Sequence, residues 1–283
     1  MINQSAKKLL VVGGTGFLGL NICRSAALRG WNVISLSRNG KFKQEEEGSL
    51  PEWVHKVNWA QGDSLQPDTY RELLKECTSV VHTVGILMEN NYKEVVNSSN
   101  PVSSLMKNLL PCSKQDSNPF KRSNISNTTP EKITTNTYER MNRDTAVMVA
   151  NEASKFPNIQ CFAYISAADV FPFIDKRYIS TKRDAEAEIQ SHKEFRSIIL
   201  RPGFMYSDTR PFTLPFAGAL GLFGQVTKNL NENLDYGLVT SHVKKLGTGP
   251  LRVETVSEAV ISALEKSDVK GVLNVPDILN LAK

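Results

Sequence analysis

The sequence contains no CxxC pair: its four cysteines, Cys23, Cys77, Cys112 and Cys161, are scattered along 283 residues. That scatter argues against a zinc ribbon or a disulfide framework and fits a reducing compartment. The four histidines, His55, His82, His192 and His242, are equally dispersed, so no metal site is visible. No apolar run reaches the ~18 residues that a membrane-crossing helix needs. Basic residues form no stripe, and a net charge of +5 spread along the chain argues against a nucleic-acid partner. The opening MINQSAKK lacks acids but reads as too short for a secretory signal or an ordinary transit peptide. One further absence is local: no Asp or Glu occurs before Glu45.

What is present is alternation. KLLVVGG, NVISLS, VNWAQGD, SVVHTVGIL, QCFAYISA and SIILRPG read as short apolar strands. GLNICRSAALRG, YRELLKEC, TAVMVANEASK and STKRDAEAEIQSH read as helices between them. Strands that are apolar nearly throughout, separated by helices, predict a doubly wound parallel α/β sheet, the Rossmann fold. Two regions break the rhythm. Residues of about 88–136 are rich in Asn and Ser and read as an insertion into a dinucleotide-binding domain of residues 1–206. Residues 207–283 read as a small C-terminal substrate lobe. It includes the apolar FTLPFAGALGLFG, a pocket wall or a peripheral membrane contact, and the amphipathic RVETVSEAVISALEKS.

VVGGTGFLG, placed between a strand and a helix, carries the strongest chemical signal. Gly13, Gly14, Gly16 and Gly19 permit a tight turn and close backbone approach. With Thr15, Phe17 and Leu18 they would present backbone amides to a diphosphate at the helix N-terminus. An NAD site usually carries an acid at the end of the second strand to bind the ribose 2′-hydroxyl. Here SLSRNGK offers Ser37, Arg38 and Lys41 instead, which favours the 2′-phosphate of NADP(H). Gly62 and Asp63 close the third strand, where a carboxylate could meet the adenine amino group. Thr83, Val84 and Gly85 follow the fourth strand on the nicotinamide side, and His82 before them reads as a packed core histidine.

GGTGFLG, GD at 62–63, YISA at 164–167, YISTK at 178–182 and LRPG at 200–203 together resemble the short-chain dehydrogenase/reductase superfamily, in its extended and atypical, epimerase/dehydratase-like branch. Within it the chain is similar to a group that includes the NADPH-binding accessory subunit of respiratory complex I and fungal accessory proteins of mitochondrial ubiquinone (coenzyme Q) biosynthesis. The resemblance implies that Tyr178 is a catalytic tyrosine supported by Lys182 and Ser166, with Asn142 holding the lysine through water. It also implies that Arg201, Pro202 and Gly203 pass beside the nicotinamide. An ammonium near a phenol would lower its pKa from about 10 and ready it for proton transfer. Ser166 and Tyr178 are closer in sequence than the extended branch usually has them, which would open the pocket.

Two functions follow from the resemblance. One is an oxidoreductase acting on a prenylated quinone intermediate; the other is a non-catalytic assembly or regulatory subunit stabilised by NADPH. Partners would be other proteins of the coenzyme Q synthesis complex, on the matrix face of the mitochondrial inner membrane. A sugar-nucleotide epimerase or dehydratase is a more distant alternative, against which the apolar FTLPFAGALGLFG counts.

Overall fold

The structure is a computed structural model; it describes residues 7–42, 50–87, 89, 136–169, 175–208 and 249–283. The expected strands form β1 (Lys8–Val12), β2 (Asn32–Ser37), β3 (Val57–Gln61), β4 (Ser79–His82), β5 (Cys161–Ile165) and β6 (Arg196–Leu200). They are followed by β7 (Met205–Tyr206), β8 (Leu251–Arg252) and β9 (Gly271–Leu273). The main sheet has seven strands in the order β3-β2-β1-β4-β5-β6-β9, every neighbouring pair parallel. Strand order reverses between β1 and β4, so a crevice opens beyond the carboxyl ends of those strands.

Helices cover both faces, which explains why the strands are apolar throughout. They are α1 (Phe17–Leu28), α2 (Glu52–His55), α3 (Arg71–Leu74), α4 (Thr145–Ala153), α5 (Lys176–Ser191), α6 (Val253–Glu265) and α7 (Val275–Leu281). On one face, Leu9, Val11, Val81, Ala163 and Ile198 pack with α1 and α6. On the other, Leu10, Val12, Val80, Phe162, Tyr164 and Ile199 pack with Ala146 and Val149 of α4 and Ala185 and Ile189 of α5. A π-type segment, Glu139–Asp144, runs directly into α4.

The expected insertion, with Cys112, and the FTLPFAGALGLFG segment fall almost wholly at positions outside the described residues. Within the expected C-terminal lobe, residues 251–283 pack on the main sheet: β9 pairs with β6, and α6 packs along α1. The reason is the apolar face of α6, whose Val253, Val256, Ala259, Val260, Ala263 and Leu264 are all buried. At its rim, Glu265 meets Lys7 at 3.2 Å and Arg29 at 3.0 Å, and Ser25 bonds Glu258.

Arg196 of β6 fastens the C-terminal end of this helix. Its guanidinium donates to the carbonyls of Ala263 at 3.1 Å and Leu264 at 3.0 Å, and to that of Val269. A cation on the last carbonyls of a helix satisfies orphan acceptors and complements the dipole. Arg196→Ala should therefore lower unfolding free energy by about 2 kcal/mol, read as a lower urea midpoint at unchanged slope.

Candidate functional site

The glycine loop lies at the carboxyl end of β1. Gly13 has φ +85°, and its amide donates to the Leu36 carbonyl at 2.9 Å, tying the loop to β2. Thr83 ties it to β4, its hydroxyl within 2.9 Å of the Val12 carbonyl and 3.2 Å of that of Gly13. A Cβ on Gly19 would fall onto the Gly13 carbonyl oxygen, and one on Gly14 onto the Ser35 hydroxyl. Gly16 differs: it is exposed, and a Cβ there would meet only the Gly13 oxygen, at 3.0 Å. Gly16 also begins α1 with no side-chain cap and no acid in the first turn. Leu18 is buried and Phe17 packs on the core, so these two can offer a ligand backbone only. Thr15 is half-buried beside them.

At the end of β2, Ser37 accepts the Gly40 amide at 3.1 Å, while its carbonyl accepts that of Gly62 at 3.0 Å. Arg38 and Lys41 are exposed, and among the described residues Arg38 has no ion-pair partner. Asp63 bonds its own turn, one carboxylate oxygen accepting the Leu65 amide at 2.9 Å.

Across the crevice, Asp175 caps α5 by accepting the Arg177 amide at 2.8 Å. Helical spacing then puts Tyr178 and Lys182 on one face. The Lys182 side chain is buried, with Nζ 3.0 Å from the Ile165 carbonyl, 3.5 Å from the Tyr164 hydroxyl and 5.8 Å from the centre of the Tyr178 ring. Gly85 leaves it space, since a Cβ at that position would come within 3.3 Å of Nζ. Asn142 is fully buried in the π-type segment, a geometry that often marks functional sites. Its side chain grips Ile86, accepting the amide at 2.7 Å and donating to the carbonyl at 3.1 Å. The Tyr164 hydroxyl donates to the Asn142 backbone carbonyl at 2.6 Å.

Tyr138 packs edge-on against Tyr178 with ring centres 6.1 Å apart. Arg177 lies over Tyr138 and pairs with Glu89 at 3.0 Å and Glu139 at 2.8 Å. Burial and Tyr138 raise the Tyr178 phenol pKa, the reverse of the lowering expected from Lys182. Burial pushes the Lys182 ammonium down to about 7, against an opposing contribution from Glu186.

Ser166 is turned away from this arrangement. Its hydroxyl bonds the buried Glu186 and accepts from Arg183 at 3.0 Å, so the expected Ser166–Tyr178 hydrogen bond is not formed. Among the described residues the Tyr178 hydroxyl has no hydrogen-bond partner. Arg201, expected beside the nicotinamide, also points at Glu186, with Nε 3.0 Å from one carboxylate oxygen. A buried carboxylate demands donors, and Glu186 draws in all three side chains. Pro202 is buried with its carbonyl taken by the Ala168 amide at 2.9 Å, and Gly203 follows it in the same loop, where a Cβ would lie 3.9 Å from the Val275 side chain.

Sequence reasoning passed over Glu186, Arg183 and Tyr164 as separate functional residues. The signal for Glu186 was its place four residues after Lys182, on the same helical face. His82 is fully buried as expected, but both ring nitrogens lack hydrogen-bond partners among the described residues. Burial first, then Lys182, pushes its pKa down to about 3. Between that value and an unfolded value near 6.5, the unfolded chain holds a proton that the folded protein refuses. Stability present above about pH 6.5 is therefore lost as pH falls. Urea unfolding at about pH 7.5 and pH 5 should show a loss of about 2 kcal/mol in the parent that His82→Phe largely abolishes.

The NAD dependent epimerase/dehydratase family pattern matches residues 9–105, a span that includes the glycine loop. Over 288 residues the chain is 35% identical to MIOREX complex component 2 of Saccharomyces cerevisiae, covering 96% of this chain and 98% of that protein. An uncharacterized chloroplastic protein of Arabidopsis thaliana is 25% identical over 286 residues, 98% of this chain and 78% of that one. Among solved structures, UDP-glucuronic acid 4-epimerase from Bacillus cereus in complex with NAD superposes with a TM-score of 0.53 at 17% identity, over 95% of this chain and 76% of that one. The Bordetella bronchiseptica enzyme WbmF in complex with NAD+ gives 0.55 at 14% identity, over 98% and 77%. At such identities these structures speak for the fold. The family pattern, together with the sequence relative that matches nearly end to end, shows that the chain belongs to the NAD-dependent epimerase/dehydratase family.

Proposed function

We propose that the protein is an NADP(H)-binding subunit of a mitochondrial protein assembly serving ubiquinone biosynthesis, with the dinucleotide as a structural ligand. The carrying observation is the open, uncapped start of α1 at Gly16, with Arg38, which has no ion-pair partner among the described residues, at the adjoining end of β2. The residues fit the group. The leading amides of α1 would hold the diphosphate, Ser37 and Arg38 the 2′-phosphate, and Lys182 the nicotinamide ribose hydroxyls. Bound NADP(H) would supply a transferable hydride. Ser166 is spent on Glu186 and the Tyr178 phenol is raised, so proton transfer near neutrality is poorly supported and binding is favoured over turnover.

Support for partners comes from the yeast relative, whose name makes it a component of a complex. The ubiquinone process, the coenzyme Q proteins as partners and the matrix face of the inner membrane rest on the sequence resemblance. A second reading, an oxidoreductase acting on a prenylated quinone, has one observation in its favour: the Lys182 ammonium lies 5.8 Å from the centre of the Tyr178 ring, so the two groups share one side of the helix.

Calorimetric titration tests the cofactor. Arg38→Ala should weaken NADPH by roughly 1–3 kcal/mol and leave NADH nearly unchanged, and equal losses would remove Arg38 from the 2′-phosphate. Ubiquinone content of cells tests the role. Gly16→Val, which blocks the loop, should depress it, whereas Tyr178→Phe should sustain it. A Tyr178→Phe protein that binds NADPH normally yet fails in cells would replace the structural reading with the oxidoreductase.

A further inference from the structure

Lys182 has three N–H donors in a buried site, and the described residues supply acceptors for two: the Ile165 carbonyl at 3.0 Å and the Tyr164 hydroxyl at 3.5 Å. The hydroxyl is not free to rotate. Its proton is committed to the Asn142 backbone carbonyl at 2.6 Å, so only lone pairs remain for the lysine. A phenol held this way can accept from an ammonium but cannot donate to the lone pair of a neutral amine. Asn142 is itself fixed by its two bonds to Ile86, which lies just beyond β4. The chain Ile86–Asn142–Tyr164–Lys182 thus links β4, the π-type segment, β5 and α5.

We propose that Tyr164 is a positioning residue: its hydroxyl, held by Asn142, keeps Lys182 protonated and aims the remaining N–H at the open side of the crevice, where a vicinal diol such as a ribose would lie. The ligand in this statement rests on the dinucleotide reading above; the bracket itself does not. The groups facing Lys182 are few. Tyr178, Arg183 and Glu186 come from its own helix, Tyr164 from β5 and His82 from β4, while Asn142 and Gly85 are uncharged. Glu186 supports the charge, but its carboxylate is shared with Arg183 and Arg201. His82 stays neutral above about pH 5, given its folded-state pKa of about 3. A titration near neutrality in this cluster therefore belongs to Lys182.

The test needs no nucleotide. Lysine side-chain carbon resonances, with Lys182 assigned by its loss in Lys182→Met, are followed against pH in the parent and in Tyr164→Phe. The Lys182 midpoint should fall by about one pH unit when the hydroxyl is removed, the shift expected for one hydrogen bond to a charged group. An unchanged midpoint overturns the proposal. Should Tyr164→Phe not fold, the parent protein still decides: with tyrosine labelled at Cζ, the Tyr164 signal must move with the Lys182 midpoint, and a signal flat across it overturns the bracket. NADPH titration forms a separate arm, in which Tyr164→Phe should bind about tenfold more weakly. A parent protein that binds no NADPH while the Lys182 midpoint still shifts would sink the dinucleotide reading and leave the bracket standing.

Discussion

A single ammonium group taken out of water sets the arrangement of the crevice. Lys182 is 5% exposed, and a buried cation needs acceptors on every side that water has left. Meeting that need fixes the last carbonyl of β5, the inward-facing Tyr164 and, through it, the backbone of Asn142. The π-type turn brings that carbonyl within reach, and Gly85 leaves out the side chain that would otherwise stand against the ammonium. The loop after β4 is thereby fixed at the point where the Thr83 hydroxyl also reaches the glycine turn. One buried charge registers four chain segments around the place where β1 and β4 part.

A second buried charge, one helical turn along, works in the opposite sense. Glu186 gathers Ser166, Arg183 and Arg201 on the far side of the end of β5, and with them the loop that begins at Pro202. The two centres divide the polar residues at the ends of β5 and β6. The ammonium has two acceptors among the described residues, whereas the carboxylate is satisfied by Ser166, Arg183 and Arg201. Ser166 falls on the carboxylate side, which supports the proposed reading of the site as a ligand holder.

Much of this was legible in the sequence. The strands could be read because parallel strands covered on both faces are apolar throughout, and the glycine loop because strand, glycines and helix follow in order. Tyr178 and Lys182 could be paired because helical spacing is regular. The role of Ser166 could not be read, because its partner is decided by side-chain direction at a strand end, and a carboxylate twenty positions later competes for it. The exact seat of the end of the chain could not be read for a related reason. An amphipathic helix shows in sequence that it needs cover, but not which surface supplies it, and α6 finds α1 across more than two hundred residues.

That last pairing governs when the protein can finish folding. Ile22, Cys23 and Ala26 of α1 belong to the core cluster that α6 completes, so no fragment ending before Val253 can shield them fully. A chain emerging amino end first from a ribosome carries an uncovered apolar stripe until α6, more than two hundred residues later, is free. Such long loops close slowly, and the interval favours capture by chaperones over early independent folding.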